Sequence, residues 1–168
     1  NAVTREIVRH ALESLADEMA LTIIRTCRSG HVKHSGDFST AIADGKGQLL
    51  AQGVTSPFHL GAMPDALGAI LRDYDGRIFP GDVFVLNDPF NGGMHLPDIF
   101  VIKPVFAGES LAAFATTIVH QIDVGGRVAG GNSTLNTEVF AEGLRLPIMK
   151  IYERGAANPA IFEIIRAN

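Results

Sequence analysis

Histidine and aspartate side chains lie close together in one stretch of the sequence, residues 87–98. The stretch follows an apolar segment and ends with His95 and Asp98, three residues apart, after two adjacent glycines. Glycine permits tight backbone turns and Pro97 stiffens the link between His95 and Asp98, so both side chains can point inward with little entropy left to lose on metal binding. These residue types at this spacing indicate a metal site.

A second histidine, His120, ends a long apolar segment and is followed closely by Asp123. Residues 99–106 and 111–120 have the composition of strands, and the glycine-containing segment between them is typical of a hairpin turn. The two ends of an antiparallel pair lie side by side, so the hairpin would bring His120 next to Asp98.

Asp37 stands at the start of another predicted hairpin, formed by residues 38–43 and 48–51. It could supply a further carboxylate if this hairpin joins the same sheet. Two imidazoles with one or two carboxylates suit Zn²⁺, Mn²⁺ or Fe²⁺. This set of ligands does not distinguish among the three metals. In the alternative interpretation the same His and Asp side chains only stabilise turns and the core, and no metal binds.

The remaining chemistry-bearing residues give weaker signals. A solvated or capping role is predicted for three other histidines, His10, His31 and His59. The paired glycines lack the Gly-Lys-Ser/Thr pattern of a phosphate-binding loop, so the chain itself is not expected to bind ATP. No serine lies in a nucleophile-elbow arrangement, which leaves covalent serine catalysis without support.

Composition narrows the class of protein. The chain has 168 residues, 46% of them hydrophobic, and a formal charge of −4, which offers no excess of Lys or Arg for nucleic acid or anionic membranes. Cys27 is the single cysteine, which excludes an internal disulfide, and no apolar run is long enough to span a membrane. We therefore expect a cytoplasmic location.

The sequence begins without Met and stops within a predicted helix, so we expect a fragment.

The predicted elements are those of an α+β fold, with a mixed, largely antiparallel sheet, a long amino-terminal helix and short helices packed on it, in a single domain of residues 1–168. Apolar residues at three- and four-residue steps predict the long helix, capped by Thr4 and stopped near Gly30, with Cys27 buried on its apolar stripe. Further helices are predicted from Pro64 to near residue 73 and after residue 158, and residues 83–86 should form a central strand. Pro104 suggests an irregular or edge position for its strand.

Four segments together resemble the hydantoinase B/oxoprolinase family: residues 33–40, 87–98, 120–126 and 142–147. Their order and spacing match throughout, and the resemblance extends over essentially the whole chain. Subunits of that family are much longer, so the resemblance implies the amino-terminal portion of a larger subunit.

The resemblance implies an ATP-dependent amidohydrolase acting on cyclic amides of the hydantoin, 5-oxoproline or lactam type. A hydantoinase A-like partner subunit would bind ATP and activate the substrate by phosphorylation, within a hetero-oligomer, while the present part completes hydrolysis with water activated by a divalent metal. The metal ligands implied are Asp37, His95, Asp98 and His120, with Asp123 as a proton acceptor. Two alternatives stay open: an ATP-dependent ketone carboxylase of the acetone or acetophenone type, and a noncatalytic assembly domain.

Overall fold

Seven strands form one sheet in the computed structural model, which describes residues 1–168, in the spatial order β2-β1-β5-β4-β3-β6-β7. In chain order the strands are β1 (Phe38–Asp44), β2 (Leu49–Gln52), β3 (Val83–Leu86), β4 (Asp98–Ala107), β5 (Ser110–His120), β6 (Met149–Glu153) and β7 (Ala156–Ala157). Every neighbouring pair is antiparallel. The predicted α+β class with a largely antiparallel sheet is confirmed.

Three α-helices accompany the sheet: α1 (Ala2–Thr26), α2 (Met63–Asp73) and α3 (Pro159–Ala167). Pro64 lies in the first turn of α2 and Pro159 begins α3, positions where the missing proline N–H has no helical partner to lose. None of these helices combines the length and the apolar character that crossing a lipid bilayer requires.

The main core lies between α2 and one face of the sheet. It combines aliphatic residues of the helix with aromatic and aliphatic residues of β3, β4 and β5, chiefly Met63, Leu67, Ile70, Phe84, Phe100, Phe114 and Ile118. Each of these side chains is fully buried, and burying one such side chain contributes about 1.5–3 kcal/mol. This packing fixes the ends of β4 and β5, where the candidate site lies.

The two predicted hairpins are confirmed, with one difference at Pro104. β4 is the middle strand of the sheet, so the edge position suggested for it is wrong. β3 pairs with β4 only as far as Ile102, so Pro104 lies where β4 has a neighbour on one side, β5. The β4–β5 register shifts just after it, between Val105 and Phe106. The irregularity is therefore real but local.

Helix α1 differs from its prediction at both ends and in its burial. Asn1, rather than Thr4, caps the helix by accepting the Thr4 N–H at 2.8 Å, and the helix ends at Thr26, before Gly30. Its buried residues are Ala16 and Ala20, whose small side chains let the helix approach β1 and β2. The predicted apolar stripe is largely exposed, and Cys27 is half-buried rather than buried.

The segment between β3 and β4 folds tightly against the start of α2. Gly92 has φ +91°, a left-handed conformation, and a Cβ atom there would overlap the backbone of Asp65 and Ala66. Both features favour glycine for separate reasons, one conformational and one steric. The close approach holds the segment that delivers His95 and Asp98 to the sheet.

Gly92→Ala is therefore expected to destabilise the protein more than Gly108→Ala does. Gly108 also has a positive φ, +61°, but a Cβ there would meet nothing within 4 Å, so it supplies the matched control. The control should lose about 1–2 kcal/mol from the left-handed conformation alone, and the Gly92 variant should lose clearly more. Urea denaturation measures both, and equal losses would contradict the close packing on α2.

Candidate metal centre

The last residue pair of the β4–β5 ladder joins Asp98 to His120. The two side chains point to the core face, and the His120 Nδ1 atom lies 3.0 Å from Asp98 Oδ1. The Asp98 side chain is 2% exposed, so its carboxylate has almost no water to solvate it. The predicted proximity of Asp98 and His120 is confirmed by this register.

His95 reaches the same carboxylate from the preceding turn. Its Nε2 atom lies 3.0 Å from Asp98 Oδ2, and the Asp98 N–H donates to the His95 carbonyl oxygen, which closes the turn. The His95 and His120 rings are stacked with centroids 5.1 Å apart. On the far side of the ring, His95 Nδ1 lies 3.1 Å from Asn132 Oδ1, in the glycine-rich loop after β5.

Asp37 lies immediately before β1 and contacts the same group of side chains. Its carbonyl oxygen accepts the His120 N–H, and its Oδ2 atom lies 3.8 Å from His120 Nδ1. The Asp37 side chain is 37% exposed, more than that of Asp98. The four residues predicted as metal ligands thus lie together at one end of β1, β4 and β5.

His59 is a member of this group that sequence reasoning missed. Its side chain is buried, so the predicted solvated or capping role is wrong. Its Nε2 atom lies 3.5 Å from Asp37 Oδ1 and 3.5 Å from Asp98 Oδ2. The residue sits in turns just before α2, where no strand or helix periodicity predicts which way a side chain points.

Asp123, the predicted proton acceptor, organises its own loop. Its carboxylate accepts the Gly125 N–H at 2.9 Å, and further backbone N–H groups of Gly130, Gly126 and Val124 surround it. These donors, Gly125 first, lower the pKa of this exposed carboxyl group. No hydrogen bond or ion pair joins Asp123 to the His/Asp group, and its catalytic role stays a prediction.

Charge stabilises the contact between His95 and Asp98. Burial raises the pKa of the Asp98 carboxyl group, but the hydrogen bond from His95, with the charges of His95 and His59, outweighs burial and lowers it overall. The hydrogen bond to Asp98 is the main cause that raises the pKa of His95. Each group therefore favours the charged form of the other.

The donor atoms of the group are spaced as a cation site requires. One ligand atom each from His95, Asp98 and His120 lies within 4.8 Å of the other two, and two of the three residues are buried. Imidazole nitrogen and carboxylate oxygen are the donors that Zn²⁺, Mn²⁺ and Fe²⁺ accept in proteins.

Segments distant in sequence hold the loop that carries His95. The buried Asn87 side chain donates to the carbonyl oxygens of Leu96 and Leu144 and accepts the Leu146 N–H. Asp88, also buried, forms an ion pair with Arg145 at 2.8 Å. The 87–98 and 142–147 segments are therefore parts of one scaffold.

Comparison with known proteins gives consistent matches over the whole chain. The family model described as hydantoinase B/oxoprolinase matches residues 1–168. The caprolactamase β subunit of Pseudomonas jessenii is 33% identical over 99% of this chain, and 5-oxoprolinase PfmaA of Pestalotiopsis fici is 34% identical over 92%. The chain spans 29% of the first protein's length and 12% of the second's.

Two solved structures share the fold. The crystal structure of the ATP-dependent caprolactamase from Pseudomonas jessenii matches with a TM-score of 0.89 at 33% identity, over 98% of this chain and 28% of that one. Nucleotide-free acetone carboxylase matches with a TM-score of 0.84 over 95% of this chain and 21% of that one, but at 20% identity it supports the fold alone.

The Asp88–Arg145 ion pair gives a pH prediction. Burial raises the pKa of Asp88, but hydrogen bonds from Arg145, the Phe90 N–H and Asn91 outweigh burial and lower it overall. A lowered pKa in the folded state stabilises the protein above the unfolded value of about 3.9, and this contribution is lost as the pH falls through the folded value. Arg145→Gln is therefore expected to lower the urea midpoint at pH 7, with a smaller deficit at pH 3.

The matched control for this experiment is Arg127→Gln, which removes an arginine outside the ion pairs of the structure. It should show no such pH-dependent deficit. A deficit for Arg145→Gln that stays constant from pH 7 to pH 3 would contradict a stabilising charge on Asp88.

Proposed function

This chain belongs to the hydantoinase B/oxoprolinase family, and we propose that it forms the metal-binding part of a subunit of an ATP-dependent amidohydrolase acting on cyclic amides. The observation that carries the proposal is the convergence of His95, Asp98 and His120, with Asp37 beside them, at one end of the sheet. Caprolactam and 5-oxoproline, which give their names to two relatives, are both cyclic amides.

The residues present fit a divalent cation. In the proposed site Asp37, His95, Asp98 and His120 hold the ion, and two carboxylates balance its charge. Asn132 Oδ1 is placed to accept a hydrogen bond from His95 Nδ1–H, so Nε2, which now donates to Asp98, is the nitrogen that would lose its proton and bind the ion. A bound Zn²⁺, Mn²⁺ or Fe²⁺ ion would supply Lewis acidity, polarising oxygen and lowering the pKa of water.

A cyclic amide resists hydrolysis because resonance strengthens its C–N bond. Phosphorylation of the amide oxygen by ATP would remove this resistance, and we assign that step to a hydantoinase A-like partner subunit. The present chain would bind and orient the activated substrate at the His/Asp group. The buried Asp98 fixes the orientation of two imidazoles, so the site needs little reorganisation on binding.

We assign Asp123 a role in holding its loop rather than in proton transfer. A carboxyl group with a lowered pKa is a weak proton acceptor at neutral pH, because the acceptor strength falls with the pKa. Asp123 accepts hydrogen bonds from backbone N–H groups of the glycine-rich segment. The same segment contains Asn132, which contacts His95.

Ketone carboxylation is less well supported than amide hydrolysis. Relatives named for cyclic amides are 33–34% identical to this chain, whereas the acetone carboxylase match is only 20% identical and reports the fold. A noncatalytic assembly domain gives no reason for three histidines to surround one buried carboxylate, that of Asp98.

Metal analysis tests the site directly. The purified protein is expected to retain a divalent metal, and His95→Ala and His120→Ala are each expected to weaken its affinity more than tenfold because each removes a ligand. His10→Ala is the matched control, since His10 is an exposed histidine on α1 remote from the group. Equal metal content in all four proteins would exclude this site.

Nucleotide turnover tests the reaction class in the subunit purified with its ATP-binding partner. A panel of hydantoin, 5-oxoproline and caprolactam is expected to include a compound that stimulates ADP release together with ring opening. His95→Ala should abolish ring opening, because the proposed metal supplies the hydrolytic chemistry. ADP release stimulated instead by a ketone with bicarbonate would assign the protein to the carboxylases.

A further inference from the structure

We infer that Glu142 is a positioning residue for the His/Asp group, whose carboxylate and backbone together hold His95 against Asp98. The inference deepens the proposed function and rests on it only where metal binding is measured. It gives a role to residues 142–147, one of the four segments that resemble the family, which contain none of the proposed ligands.

The backbone of Leu96 joins the two members of the His95–Asp98 turn. Leu96 follows His95 in the chain and is fully buried. Its N–H donates to Glu142 Oε2 at 2.9 Å, and its carbonyl oxygen accepts from the Asn87 side chain at 2.6 Å. Each backbone polar group of Leu96 is thus bonded to a side chain, so these two bonds determine where the turn lies.

The bond from Leu96 to Glu142 is a strong one. A hydrogen bond to a carboxylate is stronger than one between neutral groups, and a buried backbone N–H without a partner is costly. Glu142 is itself only partly exposed, so water competes little for its oxygens. Removing the carboxylate therefore releases the peptide next to His95.

The backbone of Glu142 holds the loop on the other side of His95. A Cβ atom at Gly126 or Gly131 would lie 2.5 Å from the Glu142 carbonyl oxygen, so this loop approaches Glu142 as closely as glycine allows. Backbone hydrogen bonds of 2.8 and 2.7 Å on either side of Glu142 join the same two segments. The loop also contains Asn132, whose Oδ1 atom lies 3.1 Å from His95 Nδ1.

His95 is thus supported from two directions by groups that meet at one residue. Asp98 and His120 are fixed by strand pairing, and their side chains are 2% and 10% exposed. The His95 side chain is 30% exposed and lies in a turn. Contacts through Glu142 supply to His95 the support that the β4–β5 ladder gives to the other two.

Nuclear magnetic resonance of the chelator-treated protein tests the inference without a metal. Glu142→Ala is expected to speed solvent exchange of the Leu96 amide about tenfold or more, because the N–H loses its acceptor. The proton signal of His95 Nε2–H bonded to Asp98 should broaden or disappear in the same variant. Glu142→Gln keeps an oxygen that can accept the Leu96 N–H, so it should preserve slow exchange and the His95 signal.

Metal affinity gives a second readout. Glu142→Ala is expected to weaken the affinity about tenfold, and Glu142→Gln should stay within about twofold of the wild type. Glu138→Ala is the matched control, because it removes an exposed glutamate of the same segment whose side chain forms no capping hydrogen bond. It should leave the affinity and both resonance readouts unchanged.

A comparison with Asp82→Asn distinguishes positioning from general stability. Asp82 is fully buried at the opposite end of the sheet, where its carboxylate accepts the Phe79 and Arg154 N–H groups. Its variant is expected to lower the urea midpoint while leaving metal affinity and Leu96 exchange as in the wild type. The same pattern in Glu142→Ala would overturn the positioning role.

The outcomes separate the two hypotheses. Equal Leu96 exchange and an equal His95 signal in Glu142→Ala and the wild type would contradict the inference, whatever the metal content. Equal losses in Glu142→Ala and Glu142→Gln would also contradict it, because the glutamine keeps the acceptor. Absence of metal from the wild-type protein would overturn the proposed function, and the resonance comparison would still decide the role of Glu142.

Discussion

The buried Asp98 carboxylate is the contact on which the candidate site depends. Both of its oxygens face imidazole nitrogen, Oδ1 towards His120 and Oδ2 towards His95 and His59. A carboxylate with so little exposure is stable only when hydrogen bonds or cations replace its lost hydration. The fold supplies those partners from β5 and from two loops, so the site requires the folded chain.

The register of the β4–β5 ladder determines this arrangement. Asp98 and His120 form the terminal pair, and a slip by one residue would turn the side chains of one strand to the opposite face of the sheet and so separate the two groups. Phe100 and Ile118, packed beneath α2 on the same face, oppose such a slip because it would remove one of them from the core. The hydrophobic core and the polar site are thus fixed by one set of strand pairings.

This dependence explains which parts of the fold and site the sequence predicts. The hairpin signal between residues 99 and 120 is local and strong, so it places Asp98 beside His120 without any knowledge of the other strands. His59 gives no such signal, because its position depends on how the turns before α2 pack against β1. The exposure of α1 is equally non-local: its apolar stripe is periodic, but only the stretch near Ala16 and Ala20 meets the sheet. Periodicity identifies a helix and does not identify what covers it.

Residue types alone would suggest a different chemistry for part of the same group. Ser39, His59 and Asp98 follow one another in contact, as the members of a hydrolytic triad do. In such a triad the serine hydroxyl donates to the histidine and is open to substrate, whereas Ser39 is fully buried and gives its proton to the Ser56 carbonyl. The His59 ring is therefore the donor in its hydrogen bond with Ser39, and His59 cannot act as the base that activates this hydroxyl. Ser39 is not a nucleophile. The other ring nitrogen of His59, Nε2, lies 3.5 Å from oxygens of Asp37 and Asp98, so both of its nitrogens face protein oxygen atoms and neither is placed to activate a nucleophile.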